Sequence, residues 1–188
     1  KSPFTSLLGM SQLMATMSYN LNPEQFSDYA KSIYQSGQRL FELLENLLEW
    51  SRSQMDQVTF EPEAQDISAL VQRNVELLHQ VAEQKGIGLV NEAPGVFINA
   101  DHHMLDTVIR NLLSNAIKFT EESGSITVTA AEKGDRVEIA VVDSGIGMAP
   151  EQIDNLFKID STQSTKGTKG ESGTGLGLLL CKDFVDRH

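Results

Sequence analysis

Cysteine is almost absent: Cys181 is the only one in 188 residues. No disulfide can form within the chain, which fits a reducing compartment. Long apolar runs are missing too. None approaches the ~18 residues that a membrane-crossing helix needs, and no leader peptide is visible. Positive charge is scarce, with 15 Lys and Arg against 26 Asp and Glu and a net charge of -11. Such a chain repels a nucleic-acid backbone at long range, so no nucleic-acid partner is expected. An anionic ligand must instead be held by local groups and a metal ion. No G-x-x-x-x-G-K-[ST] occurs, which excludes a P-loop. There is no internal repeat. The chain opens at Lys1 without an initiator Met, and both ends read as cut from something longer. A cytoplasmic location is expected, with membrane attachment only through segments outside this chain.

Hydrophobic residues make up 40% of the chain and charged residues 22%, enough to pack an ordinary core. Residues 4–18 read as a helix, with Leu7, Met10, Met14 and Met17 at spacings of three and four. Asn22 is a good N-cap, and Pro23 suits the first helical position. A longer helix then runs to about residue 55. Its Phe26, Ala30, Ile33, Gly37, Leu40, Leu44, Leu47 and Ser51 alternate at four and three, a bundle or coiled-coil seam. Two such helices cannot close a core alone, so a dimer forming a four-helix bundle is expected. The alternative is an amphipathic pair packed on the rest of the chain.

Beyond residue 56 the pattern changes. Val58-Thr59-Phe60 reads as a short strand and Glu61-Pro62-Glu63 as a linker. A helix follows from Asp66 as cap to Lys85-Gly86. Strands are expected at 87–91, 96–99, 125–131 and 136–142, with a hairpin turn at Gly134-Asp135. A helix spans 102–119 and another 176–187. Residues 160–172 have almost nothing to bury and are expected to be a mobile loop. The fold class is α+β: an antiparallel helical hairpin (1–56), then an α/β sandwich (57–188) with a mixed sheet and helices on one face.

Three motifs carry chemistry. On the helix ending at Phe119, Leu105, Val108, Ile109, Leu112, Leu113 and Ala116 form one apolar face. Asn111, Asn115 and Lys118 form a narrow stripe on another. Asparagine within a helix is locally unfavourable, but its amide oxygen suits a hard cation such as Mg²⁺, and Lys118 can meet phosphate. A solvated helix face is the plainer reading. Asp143-Ser144-Gly145-Ile146-Gly147 follows an apolar strand; its carboxylate can accept from an amine such as adenine N6, and the glycines leave room for a ligand. A simple glycine turn is the alternative. Gly173-Thr174-Gly175-Leu176-Gly177 opens a helix and offers backbone N–H groups to phosphate.

Taken in order, Asn-x-x-x-Asn-Ala-x-Lys-Phe, Asp-x-Gly-x-Gly and Gly-Thr-Gly-Leu-Gly resemble the ATP-binding domain shared by histidine kinases, type II topoisomerases, mismatch-repair ATPases and heat-shock chaperone ATPases. The resemblance implies ATP and Mg²⁺ as cofactors. It assigns the reacting phosphate to Asn111 and Lys118, the metal to Asn115, the nucleotide border to Phe119, adenine to Asp143, and the turn beneath the base to Gly145 and Gly147. The segment Gly173, Thr174, Gly175, Leu176 and Gly177 would hold phosphate. Phe157 matches the phenylalanine box of histidine kinases, and Lys166 or Lys169 could reach the triphosphate. Lys1-Ser2-Pro3-Phe4-Thr5-Ser6-Leu7-Leu8-Gly9 is similar to the tail of the phospho-acceptor box of sensor histidine kinases, with the acceptor histidine falling three positions before Lys1. The resemblance then implies a hairpin homodimer and a response-regulator receiver domain as partner. It also implies that the domain continues past His188 with further strands. Hydrolase relatives carry Glu at the place of Asn111, and Asn cannot act as a general base. The competing reading is a non-catalytic dimeric module that binds nucleotide and relays conformation. His79, His102, His103 and His188 are expected to be structural or solvated, and Cys181 a small buried thiol.

Overall fold

The computed structural model describes residues 3–17, 21–54, 59–158, 165–171, 173 and 175–188; of these, the side chains of 3, 17, 39, 42, 45, 46, 49, 50 and 52–54 are not described. Two compact units emerge, Lys1–Ser51 and Arg52–His188. The expected boundary after residue 56 falls within 55–58, outside the described residues.

The first unit is a helical hairpin of α1 (Pro3–Met17) and α2 (Pro23–Gln54). The start of α2 follows from its sequence. Asn22 Oδ1 accepts from Gln25 N at 2.8 Å, Gln25 Oε1 accepts from Asn22 N at 3.3 Å, and Pro23 needs no donor there. Leu7 meets Gly37, and an apolar groove is lined by Leu7, Ile33, Tyr34, Gly37, Gln38 and Phe41. Along the seam Leu40 is buried, but Phe26, Leu44 and Leu47 stay 50%, 51% and 47% exposed. One hairpin therefore covers only part of its own apolar stripe.

The second unit runs β1 (Pro62–Asp66), α3 (Ile67–Gln84), β2 (Gly88–Asn91), β3 (Phe97–Asp101), α4 (His102–Phe119), β4 (Ser125–Lys133), β5 (Arg136–Asp143), α5 (Pro150–Asp154) and α6 (Gly177–Arg187). β1 and β3 pair antiparallel, from Pro62 opposite Asp101 to Asp66 opposite Phe97. β4 lies between β2, which it pairs in parallel, and β5, which it pairs antiparallel, so this sheet is mixed as expected. The core joins Ile67, Leu70 and Val71 of α3, Leu105, Ile109 and Leu113 of α4, and Ile126 and Val128 of β4. Leu112, placed on the apolar face of α4 by its spacing, is only half-buried.

One expectation is corrected. Thr59 and Phe60 are not in a strand, and Val58 lies outside the described residues; the strand begins at Pro62, within the presumed linker. Phe60 instead sets its ring edge-on to His188, with centroids 5.1 Å apart. Pro62 is tolerated because it is the first residue of a short strand, where no ladder donor is demanded of it.

Each strand of the β1–β3 ribbon ends on an aspartate that caps a helix. Asp66 Oδ1 accepts from Ala69 N at 3.3 Å, and Asp101 Oδ1 from Met104 N at 3.0 Å. The helices then run side by side in one direction. Asn74 Nδ2 donates to Asp106 Oδ1 at 2.8 Å near their starts, and Lys85 reaches Ile117 and Lys118 at their ends. Asp101 does more than cap, since its Oδ2 accepts from Glu61 N at 3.0 Å and ties the entry to β1 to the start of α4.

Burial pushes the Asp101 carboxyl up, but the backbone N–H groups of Glu61, Met104 and His103, with His103's charge, bring it below the ordinary 3.8. A depressed folded value means the stabilisation is present above the unfolded value and is lost as pH falls through the folded one. Asp101→Ala is expected to lower unfolding free energy by about 1–2 kcal/mol at neutral pH, measured by urea denaturation. The gap between variant and parent should narrow as pH drops below the ordinary carboxylate range; a constant gap would mean that the charge contributes nothing.

Candidate functional site

The residues singled out by motif converge on one end of α4 and on the start of α6. Asn111, Asn115, Lys118 and Phe119 are all half-buried on α4. Asn111 Nδ2 donates to Thr107 O at 3.0 Å, one turn back. Its Oδ1 faces Gly177, where an added Cβ would stand 2.6 Å from it. α6 is drawn there by its own apolar face: Leu179, Leu180, Cys181 and Phe184 are buried, and α6 packs on α4. Gly177, the last of the glycine segment, is thus set beside Asn111 because the helix it opens packs on the helix that carries the stripe. Gly175 has φ +77°, a conformation that L side chains rarely adopt. Thr174 lies outside the described residues.

The Asp143 turn is fastened to the same helix end. Ile146 N donates to Phe119 O at 3.1 Å. Gly145 is needed for that approach, since a Cβ would come within 2.5 Å of Phe119 O. Gly145 N also donates to Asp143 Oδ1 at 2.9 Å, so the turn's own backbone holds one carboxylate oxygen. Asp143 is exposed, and Gly147 has φ +66°. Ser144 locks the base of the turn: its N–H donates to Ser125 O at 3.1 Å and its Oγ accepts from Ser125 N at 2.9 Å. Lys118 Nζ sits 4.5 Å from the centre of the Phe119 ring, a cation–π contact. Asn115 lies one turn from Asn111 on the same stripe. Leu176 immediately precedes α6 as its cap residue, and Phe157 follows α5 with about half its surface exposed.

Within the expected loop, the described part is hydrogen-bonded to α4. Thr168 N donates to Lys118 O at 3.1 Å, and Thr168 Oγ1 to Thr120 O at 3.0 Å. Residues 167–171 are therefore hydrogen-bonded onto the end of α4, with Lys166 and Lys169 exposed. Residues 159–164 and 172 lie outside the described residues. Spacing also missed Lys85 and Glu171, whose partners are far along the chain. A basic residue ending a helix was the only available hint, and it pointed to α3 itself.

The four histidines are placed as expected. His79 is an exposed neighbour of Glu83, and His102 Nδ1 lies 2.8 Å from Gln65 Oε1. His103 meets His102 edge-on, and His188 Nε2 accepts from Asp101 N at 3.0 Å. Cys181 is buried, with its thiol directed at Val108 O 3.9 Å away. Among the described residues no group of three His, Cys, Asp or Glu could hold a metal. The Asn111–Asn115 stripe offers amide oxygens, a donor type that suits a hard cation. No helix among the described residues is long and apolar enough to cross a membrane.

Two protein families match this chain. Residues 1–56 match the His Kinase A (phospho-acceptor) domain, and residues 100–188 match the histidine kinase-, DNA gyrase B- and HSP90-like ATPase. The chain belongs to the sensor histidine kinase family. Among curated relatives, the histidine protein kinase DivJ of Caulobacter vibrioides is 30% identical over all of this chain and 32% of its own length. The non-motile and phage-resistance protein of the same organism is 32% identical over all of this chain and 23% of its length. This histidine kinase chain thus spans about a quarter to a third of those relatives. Of solved structures, ShkA is 28% identical with a TM-score of 0.68, covering 99% of this chain and 38% of that one. AdeS of Acinetobacter baumannii, 20% identical, shares the fold at a TM-score of 0.75, covering 98% and 84%.

The glycine contacts in this histidine kinase chain are testable without ligand. Gly145→Ala is expected to lower stability by about 1–3 kcal/mol, as overpacking does. Gly177→Ala should cost less, because Asn111 Oδ1 is a side-chain tip that can turn away whereas Phe119 O is backbone. Thermal unfolding of the two variants would check the order; the reverse order would mean that α6 is held more rigidly than the Asp143 turn.

Proposed function

We propose that this chain is the phosphotransfer and catalytic part of an ATP-dependent protein-histidine kinase in two-component signalling. Residues 1–56 act as the dimerisation and histidine-phosphotransfer hairpin, and residues 57–188 as the ATP-binding catalytic domain. The observation that carries this reading is the junction of three motifs at α4: Asn111 against Gly177, Phe119 O against the Asp143 turn, and Lys118 beside its own phenylalanine. The similar chain ShkA is solved in complex with AMPPNP, which supports ATP as the ligand.

Asp143 would accept a hydrogen bond from the adenine amine, with Gly145 and Gly147 beneath the base. Asn111, Lys118 and the backbone of Gly173, Thr174, Gly175, Leu176 and Gly177 would face the phosphates, and Phe119 would border the nucleotide. Asn115 would hold Mg²⁺, whose chemistry is to offset phosphate charge. In the transfer, the γ-phosphorus leaves the bridging oxygen, ADP departs with the electron pair, and a bond forms to an imidazole nitrogen, which then releases its proton. Such transfer is mostly positioning and charge stabilisation. A response-regulator aspartate would take the phosphate in a second transfer. Water is a poor competitor because Asn111 stands where a hydrolase needs a base.

The hairpin supports a homodimer. Phe26, Leu44 and Leu47 are about half-exposed on a single seam, and burying such residues is worth about 1.5–3 kcal/mol each. Light scattering is expected to give twice the 20.7 kDa chain mass, and Leu44→Lys should shift it to the monomer. A mass that Leu44→Lys leaves unchanged would sink the seam as the interface.

Nucleotide binding is tested by calorimetry with Mg-ATP. Asp143→Ala should weaken it by about tenfold or more, the loss for a buried charged hydrogen bond. Equal affinities would remove Asp143 from adenine recognition. Residues 1–56 contain no histidine, so this chain alone is expected not to label itself from radioactive ATP. A longer chain carrying the residues before Lys1, mutated Asn115→Ala, should be labelled when mixed with this one if transfer crosses the dimer. Acid-labile labelling of this chain alone would show that the acceptor has been misplaced.

A further inference from the structure

Two opposite charges outside the family's motifs meet at the foot of the site. Lys85 is nearly buried, with its side chain 6% exposed, and Glu171 is partly buried at 37%. All three ammonium donors of Lys85 are used: to Ile117 O at 2.7 Å, Lys118 O at 2.9 Å and Glu171 Oε1 at 2.8 Å. Glu171 in turn organises its own segment. Its Oε2 accepts from Lys169 N at 2.8 Å, its backbone O from Gly167 N at 2.7 Å, and Gly170 N closes the turn on Gly167 O at 2.9 Å. Partial burial pushes the Glu171 carboxyl up, but hydrogen bonds from Lys85, its own N–H and Lys169's N–H bring it below its ordinary value. Gly167 fits so closely that an added Cβ would lie 2.6 Å from Lys118 Cγ and 2.8 Å from Lys118 O.

We propose that Lys85 and Glu171 are positioning residues for nucleotide binding: the pair holds residues 167–171 on the end of α4, which anchors the chain two residues before Gly173 when phosphate binds. The inference rests on the kinase reading above. Its physical basis is entropy. A tether two residues before Gly173 removes loop freedom in the free protein that phosphate would otherwise have to remove on binding. The same tether runs through Lys118 O, so it also fixes the backbone of the lysine proposed to meet phosphate. A buried ammonium with every donor matched makes a stiff anchor, whereas the half-exposed carboxylate adds little to global stability.

Glu171→Gln keeps the shape and removes the charge. Amide exchange at Gly167, Thr168 and Lys169 should become about tenfold faster or more, as for a lost charged hydrogen bond. The melting midpoint should stay near that of the parent. Mg-ATP should bind about five- to tenfold more weakly, while adenosine, which lacks phosphate, should bind both proteins alike. Glu171→Asp, which retains the charge, should recover part of the protection. Lys85→Met should lower the midpoint as well, because Ile117 O loses the Lys85 donor and Lys118 O one of its donors. Unchanged exchange in Glu171→Gln would overturn the anchor. Faster exchange with unchanged Mg-ATP affinity, or equal weakening of Mg-ATP and adenosine, would overturn the positioning role. A parent chain that binds no Mg-ATP would overturn the kinase reading and with it the role in nucleotide binding, and exchange would still decide whether the pair anchors the loop.

Discussion

The carbonyl groups at the end of α4 are the constraint on which the rest of the second unit depends. A helix leaves its last carbonyls without partners in its own backbone, and a buried end must find them elsewhere. Here they are taken by three other parts of the chain. Ile117 O accepts from Lys85, Lys118 O from Lys85 and Thr168, Phe119 O from Ile146, and Thr120 O from Thr168. One helix terminus thereby gathers the end of α3, the turn after β5 and the segment before α6. The candidate site is assembled by satisfying those acceptors.

Lys85 is the costliest member of that set, since a buried ammonium without partners would be strongly destabilising. Its own N–H donates back to Ala82 O and Glu83 O, closing α3. Its ammonium then lies at two helix C-termini at once, where the macrodipoles favour a cation. Glu171 supplies the neutralising charge, which the carbonyl dipoles alone do not provide. An apolar side chain of the same length would take from Ile117 O the donor that Lys85 supplies and leave Lys118 O to Thr168 alone, so the position favours a long cation for hydrogen bonding as well as charge.

Much of this was legible in the residues. Asp66 and Lys85-Gly86 marked both ends of α3, and alternation marked β4 and β5, because local signals govern helix caps and hairpins. The three motifs placed the candidate site because each sits where an element begins or ends. β1 was not legible: Pro62-Glu63-Ala64-Gln65-Asp66 has neither β-branched residues nor apolar alternation, and it is a strand only through its register with Phe97–Asp101. Residues 167–171 were read as mobile because they have little to bury. Their placement comes from hydrogen bonds to carbonyls about 50 residues away in sequence, as from Thr168 to Lys118, and composition carries no trace of such partners.

The orientation of Asn111 makes the last step of the chemical argument. Thr107 O can only accept, so the end of the Asn111 amide that faces it must be the NH₂ group. That orients Oδ1 toward Gly177 and the start of α6. An amide oxygen in this place accepts hydrogen bonds or ligates a cation, but it cannot remove a proton from water. A glutamate there would bring a base to the same point and favour hydrolysis. With asparagine the helix offers orientation and polarity and no base, so a nucleophile must already be competent when it arrives. A neutral imidazole meets that condition near pH 7. An amide oriented in this way agrees with the transfer onto a histidine proposed above, because it offers polarity at that point without a base for water.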